Sequence, residues 1–139
     1  EEQFAIYSKL LKNMQGKPTT IRTFDLRLDK LASFSDIGGA ASRAYDWRKV
    51  LDSPPLQKLF YEQVRAIMRA GVEGKPKILI PLVASTETLD FVMQTMQDAR
   101  ESLSQEKLDH NPDIPLGLMV ETAASIPMMP FWLDYGSTK

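Results

Sequence analysis

The sequence predicts an α/β fold in which parallel strands alternate with helices. Three short apolar segments, residues 20–26, 77–83 and 115–121, are typical of buried strands. The segments between them carry apolar residues at helical spacing. These connections are long enough to cross over, which sets neighbouring strands parallel. A doubly wound sheet and part of a (β/α)₈ barrel both satisfy this order of elements.

The first third of the chain predicts a helix, a strand and a second, short helix. Residues 1–15 have one apolar face, and Gly16 supplies a C-terminal stop. Residues 20–26 form the first strand, and a flexible loop follows. The short helix is expected to start near Ser42 and to include Trp47 and Arg48. The apolar face of the first helix consists of Phe4, Tyr7, Leu11 and Met14.

A long helix is predicted after the short one. Ser53 is a favourable N-cap, Pro54 suits the first helical position, and Gly71 ends the pattern. Its apolar stripe is formed by Leu56, Leu59, Phe60, Val64, Ile67 and Met68.

The second half repeats the order of strand and helix. Residues 77–83, KILIPLV, are typical of a parallel strand covered on both faces, and Pro81 marks an end or a bulge because it lacks a ladder donor. Ser85 can cap the helix that follows. Residues 115–121 predict the third strand. The last apolar segment, residues 124–135, is interrupted by proline and receives no assignment.

Length and composition limit the class of protein. A full barrel needs roughly 250 residues, so residues 1–139 can supply only about half of one, and a fragment of a larger domain is expected. The net charge of −1 and the absence of a basic cluster speak against a nucleic-acid binder. No cysteine is present, which excludes disulfides and thiolate metal sites. No apolar run suits a membrane span, so the predicted location is the cytoplasm.

Charged residues appear where the predicted strands end. Arg22 and Asp25 follow the first strand, Glu121 ends the third, and Arg48 precedes the long helix. Ligands of α/β proteins bind at the carboxyl ends of parallel strands. Arginine matches phosphate or carboxylate oxygens in pairs, and a carboxylate suits Mg²⁺. The alternative is a structural salt bridge between Arg22 and either Asp25 or Glu121.

Five segments together resemble a known family. They read EEQFAIYSKLL, IRTFDLRLDK, DWRKVLDSPPLQKLFYEQVRAIMRAG, KILIPLVAS and LGLMVETAA, in this order and spacing. The set resembles the phosphoenolpyruvate-utilising barrel domain, which is the C-terminal domain of enzyme I of the sugar phosphotransferase system and of its nitrogen-type relative. The resemblance covers residues 1 to about 135, and it implies that residues 1–139 are a fragment of a phosphoenolpyruvate-binding (β/α)₈ barrel domain.

The resemblance implies a function and a set of site residues. The family is a transferase that binds phosphoenolpyruvate through Mg²⁺, passes the phosphoryl group to a histidine on a separate domain, and releases pyruvate. By this resemblance Arg22 and Arg48 contact the substrate, and Glu121 is a Mg²⁺ ligand. The histidine domain, which is absent here, would serve a phosphocarrier protein. The resemblance also implies a homodimer.

Departures from the family pattern keep other functions open. Residues 26–30 read LRLDK where the family has two glycines, and residues 41–46 also differ. The chain alone is therefore expected to be inactive, since other family residues are missing. A non-catalytic sensor or dimerisation module on the same barrel is the main alternative, and a Mg²⁺-dependent aldolase or lyase is a weaker one. An open barrel is also expected to self-associate.

Overall fold

The computed structural model of the protein describes residues 1–24 and 47–135. Predicted features outside these ranges include Asp25, the start of the short helix near Ser42, and the altered segments at residues 26–30 and 41–46. In the described residues the elements are α1 (Glu2–Asn13), β1 (Pro18–Arg22), α2 (Trp47–Leu51), α3 (Pro54–Ala70), a 3₁₀ turn (Gly71–Glu73), β2 (Lys75–Ile80), α4 (Thr86–Gln105), β3 (Leu116–Leu118) and α5 (Ser125–Tyr135).

The three strands form one parallel sheet in the order β1-β2-β3. Ile21 of β1 pairs with Ile78 of β2, and Ile78 pairs with Leu116 of β3. The predicted α/β class and the parallel pairing are therefore confirmed. All three carboxyl ends point to the same edge of the sheet, because the strands run in one direction.

The helices cover one face of this sheet. Ile21, Ile78 and Ile80 are buried and belong to one core cluster with the apolar stripes of α3 and α4. On the opposite face Thr20 and Lys77 are exposed. The prediction that β2 is covered on both faces is therefore wrong for the part of the chain that the structure describes. Sequential strand order with helices on one side fits a barrel segment, whereas a doubly wound sheet carries helices on both sides.

The core lies between the sheet and the two long helices. The stripe predicted for α3 is buried, apart from Leu59, which is only half-buried. Helix α1 packs on α3, and Leu11 is its fully buried apolar residue. Fully buried side chains in this layer include Val64, Ile67, Met68, Ile78, Ile80, Val92 and Leu103.

Element boundaries differ from the sequence prediction at several points. Strand β1 begins at Pro18 and ends at Arg22, rather than spanning 20–26. Strand β2 ends at Ile80, just before Pro81, which has no N–H for the ladder. Strand β3 has three residues and ends before Glu121.

The two predicted serine caps behave differently. Ser85 lies at the N-cap of α4, where its Oγ accepts a hydrogen bond from Thr88 N–H at 3.2 Å. Ser53 lies at the N-cap of α3, but its side chain makes no capping bond. The helix there relies on Pro54 at its first position, which has no N–H to satisfy.

Two glycines have different reasons for their positions. Gly16 follows α1 with a φ of 77°, a left-handed conformation that favours glycine. Gly71 is the C-cap of α3 with a φ of −61°, which any residue adopts. A Cβ on Gly71 would lie 2.8 Å from the Cβ of Asn111. Gly71 is therefore required for space rather than for its backbone conformation.

The unassigned segment at residues 124–135 contains a helix, α5, although Pro130 lies inside it. Trp132 is buried in the core cluster, whereas Ile126, Phe131 and Leu133 are 67%, 68% and 72% exposed. The helix is apolar on most sides, so its sequence has no period that would identify it. Among the described residues, none of the helices has the length and apolar character needed to cross a membrane.

Candidate functional site

The site is built at the carboxyl edge of the sheet, where Arg22 is the last residue of β1. The burial of β1 alternates, and Arg22 lies on the exposed face with Thr20. Its register partner is Leu79, on the central strand. The backbone stays tied to the sheet just beyond it, because Thr23 N–H donates to the Leu79 carbonyl at 3.0 Å.

Arg48 reaches the same edge through its neighbour Trp47. The indole Nε1 of Trp47 donates a buried hydrogen bond of 2.9 Å to the carbonyl of Pro81, directly after β2. The ring also packs edge-on against Phe60 of α3, with centroids 5.5 Å apart. Helix α2 is thus fixed beside the end of the central strand, and Arg48 is exposed there.

Glu121 lies three residues beyond β3 and is also exposed. Its Oε1 accepts a hydrogen bond of 2.9 Å from the backbone N–H of Leu82. Leu82 has a φ of 55°, which is costly for a bulky residue other than glycine. The carboxylate therefore holds the turn after β2 in an unfavourable conformation, and that turn in return orients the carboxylate.

Together these bonds hold the backbone segments that carry Arg22, Arg48 and Glu121 at one edge of the sheet. Arg22 follows β1, Glu121 follows β3, and Arg48 is held at the end of the central strand between them. The parallel strand order places these elements at the same edge, whereas the roles of the three side chains stay predictions. Asp25 lies outside the described residues, so its pairing with Arg22 stays a prediction.

The Glu121 carboxylate has the chemistry of a single magnesium ligand. In residues 1–24 and 47–135 no group of three histidine, cysteine, aspartate or glutamate side chains converges on a point. A single carboxylate is nevertheless ordinary for Mg²⁺, which takes one or two carboxylates and completes its shell with substrate oxygens and waters. One Oε1 lone pair of Glu121 is used by Leu82. The second carboxylate oxygen gives this residue capacity for a cation.

The residues that hold the site were not found by sequence reasoning. The Trp47 side chain, which positions Arg48, bonds to a backbone carbonyl. Glu121 is held by the backbone N–H of Leu82. Backbone partners leave no side-chain pattern in the sequence. Gln63, in the middle of α3, is buried and binds the backbone just beyond Arg22. A polar residue inside an apolar helix stripe was the one available signal for it.

Comparison with known proteins decides the family. The sequence profile of the PEP-utilising enzyme family, PEP-binding domain, matches residues 1–135. The chain belongs to this family. The match includes every described residue of the candidate site.

Curated relatives carry the same family segment. The chain is similar to the phosphoenolpyruvate-protein phosphotransferase of Priestia megaterium, with 31% identity over 125 residues. The proteins of the same name from Staphylococcus aureus (strain MSSA476) and Buchnera aphidicola subsp. Baizongia pistaciae are 34% and 30% identical over 125 residues. Each match covers 90% of this chain and 22% of the relative. The chain thus spans about a fifth of the length of these relatives.

Proposed function

We propose that this chain is part of a phosphoenolpyruvate-protein phosphotransferase. In this proposal the chain binds phosphoenolpyruvate together with Mg²⁺. The phosphoryl group then passes to a histidine on another domain, and pyruvate is released. The observation that carries the proposal is the position of Arg22, Arg48 and Glu121 at one edge of the sheet. Family membership supports the choice of substrate.

The two arginines are proposed to bind the anionic groups of the substrate. A guanidinium group forms paired, charge-assisted hydrogen bonds with phosphate or carboxylate oxygens. Phosphoryl transfer depends mainly on positioning and on the stabilisation of charge on the transferred group. Hydrogen bonds to the sheet edge hold the backbone segments that carry Arg22 and Arg48, so substrate binding has to order only the arginine side chains.

Glu121 is proposed to contribute one oxygen to Mg²⁺. The ion would neutralise charge on the substrate oxygens that it binds. The hydrogen bond from Leu82 N–H fixes the direction of the Glu121 carboxylate before any cation arrives. Such outer contacts orient ligands and are expected to matter for affinity.

The remaining parts of the reaction are proposed to lie elsewhere in the complete protein. These include the histidine that accepts the phosphoryl group, further metal and substrate ligands, and the surface that binds a phosphocarrier protein. A homodimer belongs to the same proposal.

Helix α5 favours a second candidate, a non-catalytic interaction module on the same barrel. Its exposed residues Ile126, Phe131 and Leu133 form apolar surface of the kind found at interfaces. This candidate predicts a stable assembly without pyruvate release.

Turnover in the complete protein separates the two candidates. Pyruvate release would be measured with phosphoenolpyruvate, Mg²⁺ and a phosphocarrier protein, for the wild type, Arg22→Lys and Arg48→Lys. Lysine keeps the charge but loses the paired hydrogen bonds. Arg100→Lys is the matched control, because Arg100 is a half-buried residue of α4 whose guanidinium group binds the Pro112 carbonyl, outside the candidate site. Activity that falls in the two site variants and persists in the control supports the proposal, whereas an inactive wild type supports the interaction module.

A further inference from the structure

Gln63 of α3 links α1 to the backbone that follows β1. It lies in the middle of α3 and is 2% exposed. Its Oε1 accepts a hydrogen bond of 3.1 Å from Phe24 N–H, two residues after Arg22. Its Nε2 donates a hydrogen bond of 2.9 Å to the hydroxyl oxygen of Tyr7 on α1.

Chemistry fixes the orientation of this amide. A backbone N–H can only donate, so the Gln63 oxygen must face Phe24 and the Gln63 nitrogen must face Tyr7. A buried amide is costly unless both ends are bonded, and here both ends are. The side chain therefore has one favourable arrangement, which ties the end of β1 to α1 and α3.

The bond to Phe24 completes the support of the Arg22 backbone. On the strand side, Arg22 is held in register with Leu79. Beyond it, Thr23 N–H bonds to the sheet and Phe24 N–H bonds to Gln63. The two bonds hold different elements, since one reaches β2 and the other reaches a helix on the covered face. Together they fix the direction in which the chain leaves the strand.

We propose that Gln63 is a positioning residue for Arg22, which it aligns through the Phe24 backbone without touching substrate. This inference rests on the proposed function, in which Arg22 binds the substrate phosphate. Binding groups must be held close to their productive geometry by supporting contacts. If the strand end moves among several directions, apparent affinity falls with the fraction of molecules in the competent one.

The test uses the complete protein and isothermal titration of phosphoenolpyruvate with Mg²⁺. Gln63→Met is close in size and removes both hydrogen bonds. We expect it to weaken binding about tenfold, which is within the range for a buried partner left unsatisfied. Gln63→Glu keeps an acceptor for Phe24 N–H, and because burial favours the neutral acid, its O–H can donate to the Tyr7 oxygen as the amide N–H does. We expect this conservative variant to retain most of the affinity.

Two controls separate positioning from general stability. Ile67→Val removes a buried methyl group from the same helix and leaves both hydrogen bonds of Gln63 in place, so binding should stay unchanged. In Arg22→Ala, adding Gln63→Met should cause little further loss, because the two residues act on one contact. Hydrogen exchange of residues 20–24, measured without substrate, should rise in Gln63→Met and stay unchanged in Ile67→Val.

The outcomes distinguish the inference from the function on which it rests. If Arg22→Ala weakens binding but Gln63→Met does no more than Ile67→Val, the positioning role is wrong and the proposed function stands. Equal losses from Gln63→Met in the presence and absence of Arg22 also overturn the role. If Arg22→Ala leaves binding intact, or the wild type binds no phosphoenolpyruvate, the proposed function fails and the inference fails with it. Faster exchange at residues 20–24 would then report only the structural bond.

Discussion

Replacing Trp47 by phenylalanine tests how helix α2 is held at the site. Trp47 is 5% exposed, and the N–H of its indole ring donates to the Pro81 carbonyl at 2.9 Å. The smaller ring leaves a void of roughly 40 Å³, which at about 24 cal/mol per Å³ costs about 1 kcal/mol. The carbonyl left without this donor costs about 1 to 3 kcal/mol more. The expected loss in the free energy of unfolding is therefore about 2 to 4 kcal/mol.

Urea unfolding followed by far-ultraviolet circular dichroism measures this loss without relying on the tryptophan that is removed. Trp132→Phe is the matched control. Trp132 is also buried, at 7% exposure, but its Nε1 has no hydrogen-bond partner among the described residues. This variant should lose only the packing contribution, about 1 kcal/mol or less. If Trp47→Phe costs no more than Trp132→Phe, the bond to Pro81 does not hold α2, and the account of how Arg48 is placed is wrong.

Two further predictions concern the scaffold. Gly71→Ala should lower the free energy of unfolding in urea by about 1 to 3 kcal/mol, because the new Cβ would lie 2.8 Å from Asn111 Cβ. A stabilised variant would mean that Asn111 moves aside at little cost. The hydrogen bond from Arg65 lowers the pKa of Glu106, and a second bond from Ser102 lowers it further. A lowered carboxyl pKa stabilises the fold above the ordinary value of about 4.3 and loses this effect as pH falls through the lowered value. The stability difference between wild type and Glu106→Gln should therefore be largest near neutral pH and vanish in strong acid. It should also shrink in added salt. A difference that is independent of pH would contradict the assignment of the lowered pKa to Glu106.

Periodic apolar residues made most of the fold predictable. The stripe of α3 and the capping serine of α4 correctly located both long helices. Strand β2 was also located, since β-branched residues and a terminal proline limit where it can lie. Its one-sided burial was not predicted, because an apolar run such as KILIPLV does not state which face is covered.

Helix α5 shows where periodicity fails. An internal proline costs a helix about 3 kcal/mol, so the sequence argues against a helix through Pro130. The buried Trp132 gives tertiary contacts that compensate for this cost. Local propensity does not contain such contacts, and the segment could not be assigned without them.

The charged residues of the candidate site could be proposed from the sequence, whereas the residues that hold them in place could not. Arg22, Arg48 and Glu121 follow from the rule that ligands bind at strand ends, together with the family resemblance. Trp47 and Gln63 support them by bonding to backbone groups at Pro81 and Phe24. These contacts join residues 34 and 39 positions apart in the chain. Such long-range pairs depend on the three-dimensional fold and leave no local pattern.

The central claim is that Glu121 helps to bind Mg²⁺ and phosphoenolpyruvate, and one titration tests it most directly. Phosphoenolpyruvate would be titrated with Mg²⁺ into the complete protein, its Glu121→Gln variant and its Glu121→Ala variant. Glutamine keeps an acceptor for Leu82 N–H and removes the negative charge, so it changes the metal ligand while preserving the turn. The account predicts that Glu121→Gln weakens Mg²⁺-dependent binding by tenfold or more, roughly the loss expected for a charged partner. Affinity that is unchanged in Glu121→Gln and reduced only in Glu121→Ala would contradict the claim, since Glu121 would then serve the turn alone.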